Sequence, residues 1–264
     1  MKKFLFLCIL SIFIFSCSPF QKALKSEDVE VKYTEASKLY DAKKFDKAIR
    51  LFEQLSPLYK GKPQAEKMFY LFSQSYYKTK QYYLAAYQFE KFVGSYPKSE
   101  KVEEAAFLSA KCFSRLSPVY SLDQVDTDKA IEKMQNFIDA YPNSEYLLEA
   151  NDVVKGLREK LEKKAYEIAK QYNTISDYKG AIVALELFIG DFPGTPYKEK
   201  ALFYSFDSAY KLAINSVPSK MQDRLKVSKI SYNNLIKFKP DSEFRAQADE
   251  MLARIDKDLQ QFSK

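Results

Sequence analysis

Apolar residues recur three and four positions apart through most of this chain, whereas a nearly continuous apolar run, with only Cys8 and Ser11 as interruptions, occupies its beginning. Spacing of three and four places the apolar side chains on one face of a helix. Glycine, which weakens helices, occurs only six times in 264 residues. The pattern therefore predicts an all-α protein built from amphipathic helices.

The helical pattern is repeated along the chain. A small residue is followed four positions later by an apolar residue, three positions further by another, and five positions further by a proline. The copies are Ala85, Phe89, Phe92, Pro97; Ala130, Met134, Phe137, Pro142; Ala181, Leu185, Phe188, Pro193; and Ser228, Tyr232, Leu235, Pro240. An earlier copy, Ala48, Phe52 and Leu55, has Lys60 in place of the proline.

A second pattern lies 12 residues before the small position: another small residue, followed three positions later by a large apolar one. It occurs as Ala36 with Leu39, Ser73 with Tyr76, and Ala169 with Tyr172. Together the patterns resemble the TPR repeat, in which small residues let helix A approach helix B and proline ends helix B. We expect a TPR-type helical-hairpin solenoid of about five repeats over residues 30–264, closed by a C-terminal capping helix at about 243–261.

The segments after the prolines also match one another. Each contains a serine or threonine that is predicted to cap the next helix, at Ser99, Ser144, Thr195 and Ser242. The acids Glu100, Glu145 and Glu243 are then expected in the first helical turn, where the helix dipole favours negative charge.

Two repeats are longer than the others between helix A and helix B. The small positions are 20 residues apart from Ala110 to Ala130 and 21 apart from Asp207 to Ser228. The extra residues predict long loops at about 117–127 and 216–224. Such loops on a rigid scaffold often bind partners, which makes Asp123, Gln124 and Arg224 candidate interaction residues; the alternative is a tolerated insertion.

The N-terminal segment resembles a bacterial lipoprotein signal. Lys2 and Lys3 precede an apolar run over 4–15, which is shorter than the about 20 residues that a membrane-spanning helix needs. Ile14-Phe15-Ser16-Cys17 resembles a lipobox, so residues 1–16 are predicted to be a signal peptide and Cys17 to carry lipid. We expect residues 17–29 to form a tether, with 18–22 polar rather than helical. The alternative is an ordinary secreted protein with a free Cys17.

Composition excludes several classes of chemistry. The chain has no histidine and no tryptophan, which removes histidine-dependent catalytic triads and histidine metal sites. No glycine-rich phosphate loop occurs, so we expect no enzyme activity, no cofactor and no metal. After the signal, Cys112 has no cysteine to pair with. The net charge of +7 becomes +5 without Lys2 and Lys3, and we interpret it as spread along the chain, with no nucleic acid as partner.

A groove for a peptide is predicted on the helix A face of the first two repeats. Counting from the small positions gives Tyr33, Ser37, Tyr40, Tyr70, Gln74 and Tyr77, edged by Lys32, Lys67 and Lys78. Tyrosine offers a large contact area with a polar tip, which suits an extended or aromatic-ended peptide. The alternative is that these rings only pack between helices; Tyr40 and Tyr77 are the strongest groove candidates.

The mature chain resembles the BamD family, lipoprotein subunits of the outer-membrane β-barrel assembly machinery. The similarity lies in the lipidated start, the five repeats, the Asp123-Gln124 stretch leading to Ala130, the segment Tyr141-Pro142-Asn143-Ser144-Glu145-Tyr146, and the run Leu157, Arg158, Leu161, Ala169, Tyr172, Tyr178, Ala181.

The resemblance implies an outer-membrane lipoprotein that faces the periplasm. Its implied partners are a BamA-like barrel subunit, bound by the C-terminal repeats, the other lipoproteins of the complex, and unfolded outer-membrane proteins at the N-terminal groove. Two alternatives remain. One is another lipid-anchored TPR adaptor, for example at the cell wall. The other is a glycan-binding lipoprotein, which the lack of tryptophan disfavours.

Overall fold

A computed structural model describes residues 18–262, and all regular structure in that range is helical. The helices are α1 Pro19–Lys25, α2 Val29–Asp41, α3 Phe45–Leu55, α4 Ala65–Lys78, α5 Tyr82–Ser95, α6 Val102–Leu116, α7 Val125–Ala140, α8 Leu147–Thr174, α9 Tyr178–Asp191, α10 Lys198–Ile214, α11 Pro218–Phe238 and α12 Arg245–Gln260. The all-α prediction is confirmed. The signal peptide and Cys17 lie outside the described residues.

The helices form two compact units. The first contains residues 18–118 and 125–155, and the second contains 119–124 and 156–262. Consecutive helices pack in pairs in each unit, and α12 covers the last pair, α10 and α11, as expected of a capping helix. No helix in the described part of the chain combines the length and the hydropathy required to cross a membrane.

The repeated small and apolar positions form the cores of the helix pairs. The small residues Ala48, Ala85, Ala130, Ala181 and Ser228 are fully buried. The apolar residues that follow them are buried too, namely Phe52, Leu55, Phe89, Phe92, Met134, Phe137, Leu185, Phe188, Tyr232 and Leu235. The predicted register is therefore confirmed in all five copies, and helix B ends before each predicted proline.

Tight turns between helix A and helix B explain the constant 12-residue spacing. Lys43, Lys80 and Ser176 occupy equivalent positions with φ of 57°, 61° and 66°. The following N–H group reaches back to a helix A carbonyl, for example from Lys44 to Leu39 at 2.8 Å. This left-handed closure satisfies carbonyl groups that the end of the helix leaves unpaired.

The predicted caps act one turn earlier than expected. The side-chain oxygen of Ser99 accepts a hydrogen bond from the N–H two residues later at 3.0 Å, and Ser144, Thr195 and Ser242 do the same. The helices begin only at residues 102, 147, 198 and 245. The expectation that Glu100, Glu145 and Glu243 lie in the first helical turn is therefore wrong, because a separate turn precedes each helix.

Only one of the two predicted long loops exists. Residues 117–124 do separate α6 from α7. The second prediction is wrong, because α10 ends at Ile214 and α11 begins at Pro218, where a proline suits the first helical position. The extra residues lengthen α11, and Arg224 lies inside this helix with its Nη1 atom 2.5 Å from Ser216 Oγ.

The expected non-helical tether over 18–22 is also wrong. These residues belong largely to α1, whose Phe20 and Ala23 side chains are buried. Lys32, predicted at the edge of the groove, is buried instead. Its ammonium group donates hydrogen bonds to the Leu24 carbonyl at 3.0 Å and to the Gln54 side chain, which holds the end of α1 in place.

Replacement of Ala85 by glutamate should unfold the first unit. Ala85 is fully buried, so the substitution places an unpaired carboxylate between two helices at a cost of at least about 3 kcal/mol. Thermal unfolding followed by circular dichroism measures the effect. Tyr83→Glu, on the exposed face of the same helix, is the matched control and should change the melting temperature little. Equal melting temperatures for both variants would contradict the helix register.

Candidate functional site

Helices α2, α4 and α6 bring a cluster of polar and aromatic side chains together in the first unit. The Gln74 side chain donates a hydrogen bond to the Tyr70 hydroxyl at 2.8 Å, and that hydroxyl donates to the Glu104 carboxylate. Lys101 donates to the same carboxylate at 2.9 Å. Tyr40 lies close enough to interact with Glu104 electrostatically. We call these five residues the groove cluster.

The electrostatics of the groove cluster centre on Glu104. Burial opposes the charged form of this carboxylate, but hydrogen bonds from Tyr70 and Lys101 and the nearby Lys78 charge outweigh burial and lower its pKa. The pKa of Tyr70 is raised by burial and by its hydrogen bond to Glu104. Burial, with Asp41 and Glu104, also raises the pKa of Tyr40. The site thus presents neutral tyrosines around one ionised carboxylate.

Two of the predicted groove residues make different contacts. Tyr33 stacks on Tyr59 with ring centroids 5.1 Å apart, so its ring packs against the segment that follows α3. Tyr77 packs edge-on against Tyr82 and Phe89, between the two helices of its own repeat. For these two tyrosines the packing alternative describes the contacts. Tyr40 and Tyr70 pack on rings as well, Tyr40 edge-on against Phe45 and Tyr70 against Phe89 and Phe92, but both also interact with Glu104. Lys78 lies near Glu104, whereas Gln74 is buried and contacts the Tyr70 hydroxyl.

The sequence pattern missed Glu104 and Lys101, although they anchor the groove cluster. Both lie in the third repeat, where the prediction extended the groove no further than the second. Tyr146 was missed too; its ring stacks on Phe107 at 4.7 Å, and its pKa is raised by burial and by Glu104. Applying the groove prediction to α6, the helix A of the third repeat, would have pointed to these residues.

A second candidate site lies in the second unit, beside the loop at 119–124. A pocket of about 540 Å³ is formed by this loop and the C-terminal half of α8. Its lining residues are Tyr120, Ser121, Lys164, Glu167, Ile168, Gln171, Tyr172 and Ile175. Ile168 and Ile175 are 55% and 62% exposed, which is unusual for isoleucine and typical of a contact surface.

The loop beside this pocket is held by lysines of α8. The Lys163 ammonium group lies 4.2 Å from the centre of the Tyr120 ring, and Lys164 donates a hydrogen bond to the Leu122 carbonyl at 2.5 Å. Gln124 is buried and donates to the carbonyls of Val119 and Leu122, so it closes the loop internally. Of the two predicted loop residues, Asp123 is the exposed one.

The described residues offer little reactive chemistry. Cys112 is a free, buried cysteine, and burial raises the pKa of its thiol to about 12, so the thiolate is scarcely populated at neutral pH. Within residues 18–262, no group of three or more potential metal ligands comes together.

The sequence matches known proteins across most of its length. The family model YfiO, described as outer membrane lipoprotein, matches residues 25–225. The outer membrane protein assembly factor BamD of Caulobacter vibrioides is 21% identical over 187 residues, which cover 71% of this chain and 61% of the relative. The putative assembly factor BamD of Aquifex aeolicus is 29% identical over 203 residues, covering 74% and 64%.

A third relative matches over nearly its whole length. BamD of Buchnera aphidicola is 24% identical over 243 residues, covering 83% of this chain and 97% of the relative. The chain spans less than two thirds of the length of the other two. A solved structure, the TPR2AB-domain:pHSP90-complex of yeast Sti1, gives a TM-score of 0.41 at 16% identity and covers 86% of this chain and 98% of that chain.

Substitution of Glu104 by glutamine should lower stability at neutral pH but not in acid. The variant keeps an acceptor and loses the charge, which removes about 1.5 kcal/mol of charge-assisted hydrogen bonding. Because the pKa of Glu104 is lowered from 4.5, its contribution is present above that value and is lost as the pH falls through the folded-state pKa.

Thermal melting of wild type and Glu104→Gln across this pH range tests the prediction. We expect a difference of a few degrees at neutral pH that disappears well below pH 4.5. Glu103→Gln, the neighbouring acid on α6, is the control. A difference that is independent of pH would show that the ionised carboxylate does not hold the groove cluster.

Proposed function

Because the chain belongs to the YfiO family of outer membrane lipoproteins, we propose that it is an outer-membrane protein assembly factor that acts by binding other proteins and catalyses no reaction. The observation that carries the proposal is the match of the family model to residues 25–225, which include every residue of both candidate sites. The names of the three relatives support the same role.

The proposed location is the outer membrane, with the folded part in the periplasm. Acylation of Cys17 supplies the anchor, since more than one acyl chain gives stable attachment.

The groove cluster is the proposed site for unfolded outer-membrane proteins. An unfolded chain exposes backbone donors and acceptors together with aromatic side chains. Tyr40 and Tyr70 are partly exposed aromatic side chains with hydroxyl groups, while Lys78, Lys101 and Glu104 offer charges. Hydrogen bonds hold Tyr70 and Glu104 in place before a ligand arrives. Binding therefore costs less side-chain conformational entropy. An extended segment with aromatic residues fits this chemistry.

The pocket in the second unit is the proposed contact for the periplasmic part of a BamA-like barrel subunit. Exposed isoleucines surrounded by polar side chains resemble the apolar centre and polar rim of a protein interface. The other lipoproteins of the assembly complex are proposed as further partners, without assigned contacts.

Affinity purification from detergent-solubilised envelopes tests the proposed complex. Mass spectrometry should find a BamA-like barrel protein with periplasmic domains in near-stoichiometric amount. Recovery of cell-wall proteins in its place would favour another TPR adaptor. The double variant Ile168→Glu, Ile175→Glu should reduce recovery of the barrel protein at least about tenfold, because it puts charges into the apolar pocket.

The control for that variant is Val183→Glu with Leu187→Glu. Val183 and Leu187 lie one turn apart on α9. They are about as exposed as Ile168 and Ile175, but they lie outside the pocket. Equal loss of the barrel protein in both double variants would contradict the assignment of the pocket as the contact.

Binding of peptides from unfolded outer-membrane proteins tests the groove. Tyr40→Ala should weaken the affinity about 5- to 10-fold, since a buried aromatic contact contributes about 1–1.5 kcal/mol. Fluorescence anisotropy with a labelled peptide measures it, and circular dichroism should show unchanged helicity. Tyr87→Ala, an exposed tyrosine on α5, is the control. Equal affinities for the two variants would refute the role of Tyr40.

A further inference from the structure

The positive charge of the mature chain is concentrated at its N-terminal end. Residues 18–80 contain 13 lysines and arginines against eight acids, and this excess of five equals the net charge of all residues after Cys17. The interpretation that the charge is spread along the chain is therefore wrong. Beyond residue 80, basic and acidic residues balance.

The fold gathers part of this excess into one cleft. A cleft of about 570 Å³ at the turn between α2 and α3 is lined by Lys43, Lys44, Phe45, Asp46, Lys47, Lys78 and Thr79. We call it the lysine cleft. Its four lysines are exposed, and its lining includes one acid, Asp46, while Lys78 also lies near Glu104 of the groove cluster. In the part of the chain that the structure describes, none of the four forms an ion pair within 4.0 Å.

The lysine cleft is joined to α1, the helix that follows Cys17. The Lys47 ammonium group lies 5.5 Å from the centre of the Phe20 ring, and the Arg50 guanidinium lies 5.6 Å from it. Phe20 is buried, and Lys32 holds the end of α1 through the Leu24 carbonyl. The helix is thus fixed to α2 and α3 and does not act as a loose spacer.

Covalent geometry limits how far this surface can lie from the anchor. Cys17 and Phe20 are three residues apart, so their Cα atoms are at most about 11 Å from each other. The two sides of α1 also differ. The α3 side carries Lys47 and Arg50, whereas the hollow on the α2 side mixes Lys22 and Lys38 with Glu30 and Glu35. Basic residues outnumber acids in the lysine cleft on the α3 side, whereas the hollow on the α2 side contains as many acids as lysines.

We propose that the lysine cleft binds the phosphate headgroups of anionic phospholipids in the membrane that holds the lipid anchor. The inference rests on the proposed acylation of Cys17, which delivers the cleft to the membrane surface. A basic surface next to an acyl anchor adds a second, electrostatic attachment. Because it lies on one side of α1, it also sets the orientation of the first unit on the membrane.

The absence of tryptophan from the chain permits a direct test. Phe45→Trp introduces a single tryptophan at the lysine cleft. The purified acylated chain is bound to vesicles of neutral phospholipid, or of neutral mixed with anionic phospholipid, each with brominated acyl chains that quench nearby tryptophan. We expect strong quenching on anionic vesicles, weak quenching on neutral ones, and loss of the difference at high salt, which screens the charges.

Removal of positive charge from the lysine cleft should abolish the difference in quenching between anionic and neutral vesicles. Lys43→Asn with Lys44→Gln leaves the groove cluster intact, and asparagine tolerates the positive φ of Lys43. Each lysine near an anionic surface shifts the equilibrium about fivefold, so quenching should fall to the level of neutral vesicles. Lys179→Gln with Lys200→Gln, exposed lysines of the second unit, removes the same charge and should leave quenching unchanged.

Three results of these experiments would contradict binding of anionic headgroups by the lysine cleft. Quenching that is equal on neutral and anionic vesicles, or that survives the double substitution at the cleft, overturns the proposal. Binding of inorganic phosphate to the chain in solution, together with no extra quenching on anionic vesicles, also overturns it and would identify a site for free phosphate. Flotation on neutral vesicles and the mass of the purified chain report acylation of Cys17 separately, and anionic vesicles test the cleft whether or not acyl chains are present.

Discussion

The two helices of each hairpin touch where helix B has almost no side chain. Ala48, Ala85, Ala130 and Ala181 are fully buried at this position, and Ser228 takes it in the last pair. Close approach there brings the larger residues one and two turns further along into contact, which buries Phe89 and Phe92 in the second pair. Dispersion and hydrophobic burial both require this short distance. The helix pairs, and every side chain that they position, depend on it.

Aromatic stacking links three of the hairpins to the segments that follow them. Phe107 stacks on Tyr146 in the first unit, while in the second unit Tyr166 stacks on Tyr197 and Phe203 on Phe244, with centroids 4.1–5.3 Å apart. Acids of helix A strengthen junctions of this kind: Ser99 donates a hydrogen bond to Glu66 at 2.6 Å after the second hairpin, and Ser242 donates one to Glu199 at 2.7 Å after the last. Stiff junctions of this kind keep the helices that carry the groove cluster in fixed register.

Local spacing was sufficient for most of the fold but not for the site. The 12-residue spacing implies a tight turn, and the left-handed closures at Lys43, Lys80 and Ser176 confirm it. A longer spacing does not distinguish a loop from a longer helix, so the insertion before Ser228 became the start of α11. Similarly, aromatic residues in groove register do not reveal whether they pack or bind. Tyr33 stacks on Tyr59, whereas Tyr40 packs edge-on against Phe45 and also interacts with Glu104.

The sequence by itself determined most of the helices, the pairing of helix A with helix B and the places where helix B ends, because these follow from local periodicity, small residues and prolines. The family was indicated by the resemblance of longer segments, and the match of the family model to residues 25–225 shows it. It also predicted a lipid anchor at Cys17, which lies outside the described residues. The tertiary structure decided which distant side chains meet. Glu104 joins Tyr70 across 34 positions of sequence, and Lys47 reaches Phe20 across 27. Such contacts arise because the stacking of helix pairs brings separate turns of the chain together, and no single window of sequence contains both partners.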